Sequence, residues 1–479
     1  MAWRRVIGTI RSRGSLRGLA RGLFLATLIT APWLYGGTTA WSIELIDGVL
    51  GVTLVLWVAS LLVEWRWPSV PRGLAAIAAF IVIQGWWMVI NAHAVYDSTF
   101  GIFVPLDSLV PNAAGSKDYI LSLAWMLRAT ALLGVVLIAA EMAQRPVWLL
   151  RLWYAVAIAG GAIAALGLAQ KATGARMIFW QPPVWPPIDS FFASYFYHAN
   201  AGAFINLTLP AVGGLAIWAL AQPGRPLAKP LWITTLLIVV VAVISNTSKM
   251  AQAVGLLTVI VFVGWTIKPA LRLAARSEKR PLLVGAFIVI VAVLAIGQAA
   301  HLDKPLARWQ NLSKQLPIDE RWAADRAAFG ALGEAGPFGF GPGVFRAIFP
   351  HYQVTAPSHP QGTWRFLHDD HLQTILEWGW LGGLVIAALF FGGIGIAIRN
   401  YLRREDWSNR QRILLPCVIL ALIGVAIHAL VDFPLQIFSI QIIVATYVGL
   451  CWGSCAWKRR RAEDGGRRTE DREQRSDNQ

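Results

Sequence analysis

The sequence predicts an all-α integral membrane protein of about twelve transmembrane helices with one large polar loop at one membrane face. Three observations predict it. Hydrophobic residues make up 56% of the 479-residue chain and charged residues 14%, where a soluble domain carries about 25% charged residues. Mean hydropathy is +0.54. Apolar runs of roughly 18–22 residues recur, each long enough to cross about 30 Å of hydrocarbon as a helix. Backbone groups in lipid must pair within their own segment, and no stretch shows the alternation of a membrane barrel.

After a basic N-terminus (1–18), the expected spans run about 19–40, 45–63, 73–92, 119–140, 148–169, 198–220, 231–246, 249–267 and 281–300. The polar loop 301–369 follows, then spans at about 370–397, 413–431 and 435–457. Proline or charge marks the seams at Pro68 and Pro71, Pro146, Pro223 to Pro230, Pro269 and Pro281, and Pro434. The tail 458–479 is charged and free of large apolar residues, a composition that stays disordered.

Orientation follows the excess of Lys and Arg in cytoplasmic segments. With the N-terminus inside, the inner segments hold Arg66 and Arg72, Arg145, five cations over Lys268 to Arg280, five over Arg399 to Arg412 and eight over Lys458 to Arg475. The short outer loops hold Lys117, Lys171 and Arg176. The formal charge of +16 is therefore a topology signal and points to no nucleic acid. Loop 301–369 carries seven cations yet lies outside, because loops longer than about 60 residues escape the rule. The first apolar run lacks a small-residue cleavage site and reads as a retained helix. Cys417, Cys451 and Cys455, an odd number in or near apolar helices, form neither a disulfide framework nor a metal site.

The cytoplasmic loops are about a dozen residues at most. None has room for a nucleotide-binding domain, and none carries a Gly-rich phosphate loop or an Asp-x-Asp motif. A transferase of this topology takes its donor from the membrane or the outer side.

The outer loop opens a short amphipathic helix at Asp319, a good N-cap. Trp322, Arg326 and Phe329 share one face of it. Gly336 to Gly343 cannot continue that helix, and a second short helix is expected over Val344 to Tyr352. His368 opens the tenth span.

These residues resemble a family. Arg326-Ala-Ala-Phe-Gly-Ala-Leu, Gly336-Pro-Phe-Gly-Phe-Gly-Pro-Gly-Val-Phe345 and His368-Asp-Asp-His-Leu-Gln-Thr-Ile-Leu-Glu-Trp-Gly-Trp-Leu-Gly382 resemble the signature of the O-antigen ligase and O-antigen polymerase family. Tyr197-His-Ala-Asn200 is similar to its earlier His-x-Asn element, and His428-Ala-Leu-Val-Asp432-Phe-Pro-Leu-Gln436 to its C-terminal element. The resemblance covers roughly 195–450. It implies a bacterial inner-membrane, multi-pass, GT-C-like glycosyltransferase. Such an enzyme moves a glycan from undecaprenyl diphosphate to an acceptor at the periplasmic face without a metal ion or other cofactor. The expected partners are a lipid-linked glycan donor, a lipid A-core or glycan acceptor, and the membrane.

The residue chemistry points the same way. A departing diphosphate needs its charge stabilised, which suits the arginine fork, and the acceptor hydroxyl needs a base, which suits histidine. His368 is the expected base and Arg326 the expected diphosphate ligand. Arg128 and Lys249, cations inside or opening apolar spans, join His198, Asn200 and Asp432 as candidate substrate-binding residues. Lys249 departs from the family, which has arginine after serine there, and gives up bidentate geometry. Glu377 is expected to position helices. Each reading has a structural alternative: His368, His198 and Asn200 as caps, Arg326, Arg128 and Lys249 as cations snorkelling to headgroups, His371 as helix surface, Asp432 as a helix end.

Ligase, polymerase and protein O-glycosylation stay open, with the lipid A-core acceptor favoured. A polysaccharide transporter or flippase is the alternative of another class. It would show internal repeats and midplane polar residues. Here repeats are not evident, and the polar residues gather toward one face.

Overall fold

The computed structural model describes residues 13–182, 190–221, 227–275, 309–310, 319–357, 359–403 and 407–457. Among them, ten helices are long and apolar enough to cross a membrane, which makes the chain a multi-pass helical membrane protein. The expected span 281–300, the tail 458–479 and most of 301–318 lie outside the described residues.

The chain begins with α1 (Arg13–Thr30), α2 (Ala40–Val63) and α3 (Arg72–Ile90), then a hairpin of β1 (Ala94–Asp97) and β2 (Ile102–Pro105). Next come α4 (Tyr119–Ala143), α5 (Pro146–Ala172), α6 (His198–Leu220), α7 (Ala228–Ser245) and α8 (Lys249–Ala275). The outer loop holds α9 (Glu320–Gly330), α10 (Leu332–Ala335) and α11 (Phe345–Thr355). The bundle closes with α12 (Asp370–Arg403), α13 (Asn409–His428) and α14 (Phe438–Gly453).

Two expectations change. The first span, expected over 19–40, is the helix α1 followed by 3-10 turns at Ala31–Trp33 and Tyr35–Gly37. Pro32 sits at the start of the first turn, and Gly36 and Gly37 adopt φ of 68° and 70°, so the helix cannot run on. The all-α expectation also misses the antiparallel hairpin β1–β2, which pairs Ala94 with Pro105 and Asp97 with Ile102. The β-branched and aromatic residues Val95, Tyr96, Phe103 and Val104 and the turn at Gly101 (φ 66°) were its sequence signal.

Helices α6 and α14 form the axis. They are 89% and 83% buried over their apolar windows, and they are apolar on every face, as a helix at the centre of a bundle must be. Gly449 and Gly453, one turn apart on α14, lie against the backbone of α4 at Val136 and Ala140. Small residues at this spacing let two membrane helices approach closely.

The bundle has two unlike ends. At one, Glu141 near the end of α4 accepts from Trp57 (2.7 Å), Arg66 (2.5 Å) and Arg21 (3.3 Å), while Arg17 pairs with Glu64 at 2.6 Å. At the other gather the hairpin, the starts of α6, α8 and α12, the turn 429–437 and the outer-loop helices.

There the Asp319 carboxylate accepts from the Arg321 N–H at 3.1 Å and starts α9, as expected. The α9–α11 unit has its own small core of Ala324, Ala328, Val344, Phe345, Phe349 and Leu367. The glycine run docks this unit onto α12. Gly379 breaks the α12 helix at φ 69°, ψ 175°. The freed carbonyls of Leu376 and Glu377 accept from Phe340 (2.9 Å) and Gly341 (3.0 Å), and Trp380 N–H donates to the Gly336 carbonyl at 3.3 Å. A side chain at Gly339 (φ 78°) would meet the Glu377–Gly379 backbone. Glu377 accepts from Phe345 N–H (3.2 Å) and Gln373 Nε2 (3.0 Å), the helix-positioning role expected of it.

Candidate active site

Three helix starts converge on the site. Asn246 fixes two of them: its Nδ2 donates to the His198 carbonyl at 2.9 Å, and its Oδ1 accepts from Ser248 N–H at 2.8 Å. The Ser248 hydroxyl caps α8 through Ala251 N–H, so Lys249 stands on the first turn of α8 beside the first turn of α6. Asp369 supplies the third start. Its carboxylate accepts from the His371 and Leu372 N–H groups at 2.9 and 3.0 Å. The helix therefore begins at Asp370, and His368 lies just outside it.

Asp370 locks the turn 429–437 against this start. It is fully buried, and its carboxylate accepts from Leu435 N–H at 2.7 Å and Gln436 Nε2 at 2.8 Å. Its own N–H donates to the Ala429 carbonyl at 2.9 Å. This places Asp432 and Phe433 next to His368, whose ring meets Phe433 edge-on at 4.9 Å and Trp364 at 5.3 Å.

A cavity of about 550 Å³ lies among these elements, lined by His198, Lys249, Arg321, Asp325, His368 and Asp432, with Tyr197, Trp309 and Trp322 among its other walls. The Arg321 guanidinium is its best-held cation. It donates to the Tyr197 hydroxyl at 2.9 Å and to the Val431 carbonyl at 3.3 Å, with Asp319 3.8 Å away. The Tyr197 hydroxyl in turn donates to Asp432 at 3.3 Å, and its ring stacks on Phe433 at 5.6 Å.

The electrostatics follow from burial and this relay. Burial lowers the Arg321 pKa, but Tyr197, Asp432 and Asp319 more than offset it, so the guanidinium is held above its ordinary value. Burial raises Asp432 to about 6 although Arg321 pulls it down. Burial and then Asp369 raise Asp325 to about 6. Burial, helped by Arg321, lowers His368 to about 3, so its imidazole is neutral at physiological pH. The His368 Nδ1 is buried with no hydrogen-bond partner among the described residues.

A second cavity of about 680 Å³ shares Tyr197 and His368 with the first. Its walls are aromatic: Tyr195, Phe196, Trp364, Phe366 and Phe433. Asn200 also lines it, and the Asn200 Oδ1 is buried and unpartnered among the described residues. Buried polar atoms are nearly always satisfied, so these two unpartnered atoms, both on residues that line this cavity, stand out.

The structure thus brings together His368, Lys249, His198, Asn200 and Asp432 of the candidate residues. It does not bring Arg326 to them. Arg326 is on the exposed face of α9 with Trp322 and Phe329, which are 53% and 68% exposed. Arg321 lines the cavity in its place. Five residues apart on a helix is about 140° of rotation, enough to exchange the cavity for solvent. The signal in the sequence was the small-residue stripe Ala324, Ala327 and Ala328, which faces the bundle and carries Arg321 and Asp325 along its side. Arg128 belongs to a different chamber. The His371 ring lines a separate apolar cavity, and its Nε2 lies 3.1 Å from the Ala426 carbonyl. Tyr197, Asp325 and Asp370 were not singled out by the sequence.

No protein-family model and no curated protein matches the chain.

Proposed function

We propose that the chain is a glycosyltransferase of the bacterial inner membrane, working at the periplasmic face. It moves a glycan from a polyprenyl diphosphate to a hydroxyl of an acceptor, with lipid A-core favoured as that acceptor. The observation that carries the proposal is the meeting of Arg321, Lys249 and His368 in one cavity, together with the ordered motifs that resemble the O-antigen ligase and polymerase family.

In this reading the diphosphate lies against Arg321 and Lys249. Lys249 adds its charge to the positive end of α8, whose first turn has no acidic residue, and a helix N-terminus favours phosphate. The sugar lies in the aromatic chamber. His368, kept neutral, accepts the acceptor's hydroxyl proton. The acceptor oxygen forms its bond to the anomeric carbon as the bond from that carbon to the phosphate oxygen breaks. The electron pair leaves with the diphosphate, whose growing charge Arg321 stabilises through fixed donors. Burial is the larger cause of the low His368 pKa and Arg321 the lesser, so an anion on Arg321 relieves only the lesser one.

A polymerase of the same family differs only in its acceptor, a second lipid-linked glycan. A transporter uses the same cavity without chemistry. The separating test is transfer by purified protein from a defined polyprenyl-diphosphate glycan to lipid A-core, read by mass. A covalent glycan–lipid A-core product supports the proposal. Transbilayer movement with no covalent product on either acceptor contradicts it.

A further inference from the structure

A third chamber, of about 520 Å³, adjoins the aromatic one and shares Thr38, Arg365, Phe366 and Ile437 with it. It carries its own arginines. Arg128 lines its inner part, in the α4 span and only 9% exposed. The guanidinium lies between Trp125 and Phe438, 4.7 Å from each ring, so its plane is fixed. Its Nε has no hydrogen-bond partner among the described residues, and its ion-pair partner Asp47 stands 3.8 Å away. A cation this deep in an apolar span is costly, and such cations serve a purpose. Arg346 and Arg365, both exposed, complete the set.

Of the three carboxylates that line the chamber, only Asp47 pairs with one of these arginines among the described residues, and that one is Arg128. Asp47 faces Arg128, Glu377 is engaged by Phe345 and Gln373, and Glu44 is exposed. Neither Arg346 nor Arg365 has an ion pair among the described residues. Partial burial and then the neighbouring Arg346 lower the Arg365 pKa, so these two cations repel one another. The buried Gln436 Oε1 has no hydrogen-bond partner among the described residues either. The chamber also reaches the flank of the bundle, where Leu127 is 54% exposed.

We infer that this chamber binds a phosphate carried by the acceptor lipid, so that the two phosphorylated substrates sit on separate cation sets on either side of His368. Arg321 and Lys249 take the donor's diphosphate; Arg128, Arg346 and Arg365 take the acceptor's phosphate. An opening on the lipid-facing flank suits an acceptor with its own acyl anchor. The inference rests on the transferase proposal and adds the class of acceptor to it.

The test uses full-length protein in nanodiscs, with Arg346→Gln as the variant, because Arg346 is exposed and lines this chamber but neither of the other two. The probes are lipid A-core and the same lipid after chemical dephosphorylation. Equilibrium binding of each is measured alongside transfer kinetics. Loss of a charge-assisted contact to the phosphate predicts that the variant weakens binding and raises acceptor KM about tenfold with the phosphorylated lipid. Donor KM stays within about twofold. With the dephosphorylated lipid, wild type and variant behave alike. An equal loss on both lipids, or a loss that falls on donor KM, overturns the inference. Charge-dependent binding in a protein that transfers nothing leaves this site standing and removes the transferase proposal. Transfer with charge-independent binding does the reverse.

Discussion

The Arg321 guanidinium donates to the Tyr197 hydroxyl at 2.9 Å, joining α9 to the start of α6 across 124 residues of sequence. The contact does more than hold an arginine. Tyr197 passes the bond on to Asp432, so a cation from the outer loop is aimed by two groups of the membrane bundle. The site exists only when loop and bundle are docked.

That geometry separates arginine from lysine. Arg321 makes two directed contacts, to Tyr197 and to Val431, and a lysine cannot keep both while facing a diphosphate. Arg321→Lys is expected to lose nearly as much transfer as Arg321→Ala, roughly 10²-fold. Arg326→Lys and Arg326→Ala should both stay near wild type at matched membrane levels. A damaging Arg326→Ala beside an active Arg321→Ala would return the site to the outer face of α9.

The two histidines of the His368–His371 segment should differ in the same assay. His368→Ala is expected to cut transfer by about 10²–10⁴-fold with expression unchanged, the usual contribution of a general base. His371 lines an apolar groove on another side of α12 and contacts a backbone carbonyl, so His371→Ala should cost far less. The opposite ranking would move the base.

The pH profile should report a carboxylate, not the histidine. His368 is held near 3 and does not change charge above pH 5. Asp432 is raised to about 6, so it is mostly ionised at pH 7.5 and mostly neutral at pH 5. As pH falls through about 6, Arg321 loses the charge that raises and orients it, and transfer should fall with it. Asp432→Asn should lower the plateau and flatten this limb; Asp325→Asn, the control with a similar value, should leave it in place. A limb that survives Asp432→Asn and vanishes with Asp325→Asn reassigns it.

The docking of the outer loop rests on Gly379. At φ 69°, ψ 175°, a region essentially confined to glycine, any other residue is strained by about 1–3 kcal/mol, and an added side chain meets the Pro337 carbonyl. Gly379→Ala should therefore speed proteolysis within 319–369 and lower transfer, while the helical content of the bundle persists. Unchanged protease resistance would show that the break in α12 is not what seats the loop.

Much of this was legible in the sequence, and the physical reason is the same each time. Spans such as 198–220 stand out because lipid demands an unbroken apolar run. The Asp319 cap and the glycine run stand out because few residues suit those backbone positions. What was illegible depends on tertiary contact. Choosing Arg321 over Arg326 requires knowing which face of α9 meets the bundle. Trp322 does not settle it, because it is 53% exposed and yet lines the edge of the cavity. The break at Gly379 is set by the Gly336–Phe340 backbone packed against it, and nothing local announces it. Asp47 reads as one more polar residue in an apolar span until α2 packs on α4 and places it beside Arg128.

Orientation has its own check. In a background lacking Cys417, Cys451 and Cys455, Ser98→Cys lies in the exposed hairpin turn at the site end, and Ser69→Cys is exposed at the other. An impermeant maleimide should label the cysteine at 98 in intact spheroplasts and the cysteine at 69 only after permeabilisation. The reverse pattern would put the site in the cytoplasm.

The most direct test divides binding from chemistry between the two central residues. Equilibrium binding of a fluorescent polyprenyl-diphosphate glycan and single-turnover transfer would be measured on the same nanodisc preparations of wild type, Arg321→Ala and His368→Ala. The account predicts that Arg321→Ala weakens donor binding about tenfold or more and slows transfer, because charge-assisted contacts to the diphosphate are gone. His368→Ala should bind donor as wild type does and fail to transfer. Donor binding that depends on His368 but not on Arg321, or full transfer by His368→Ala, would contradict it.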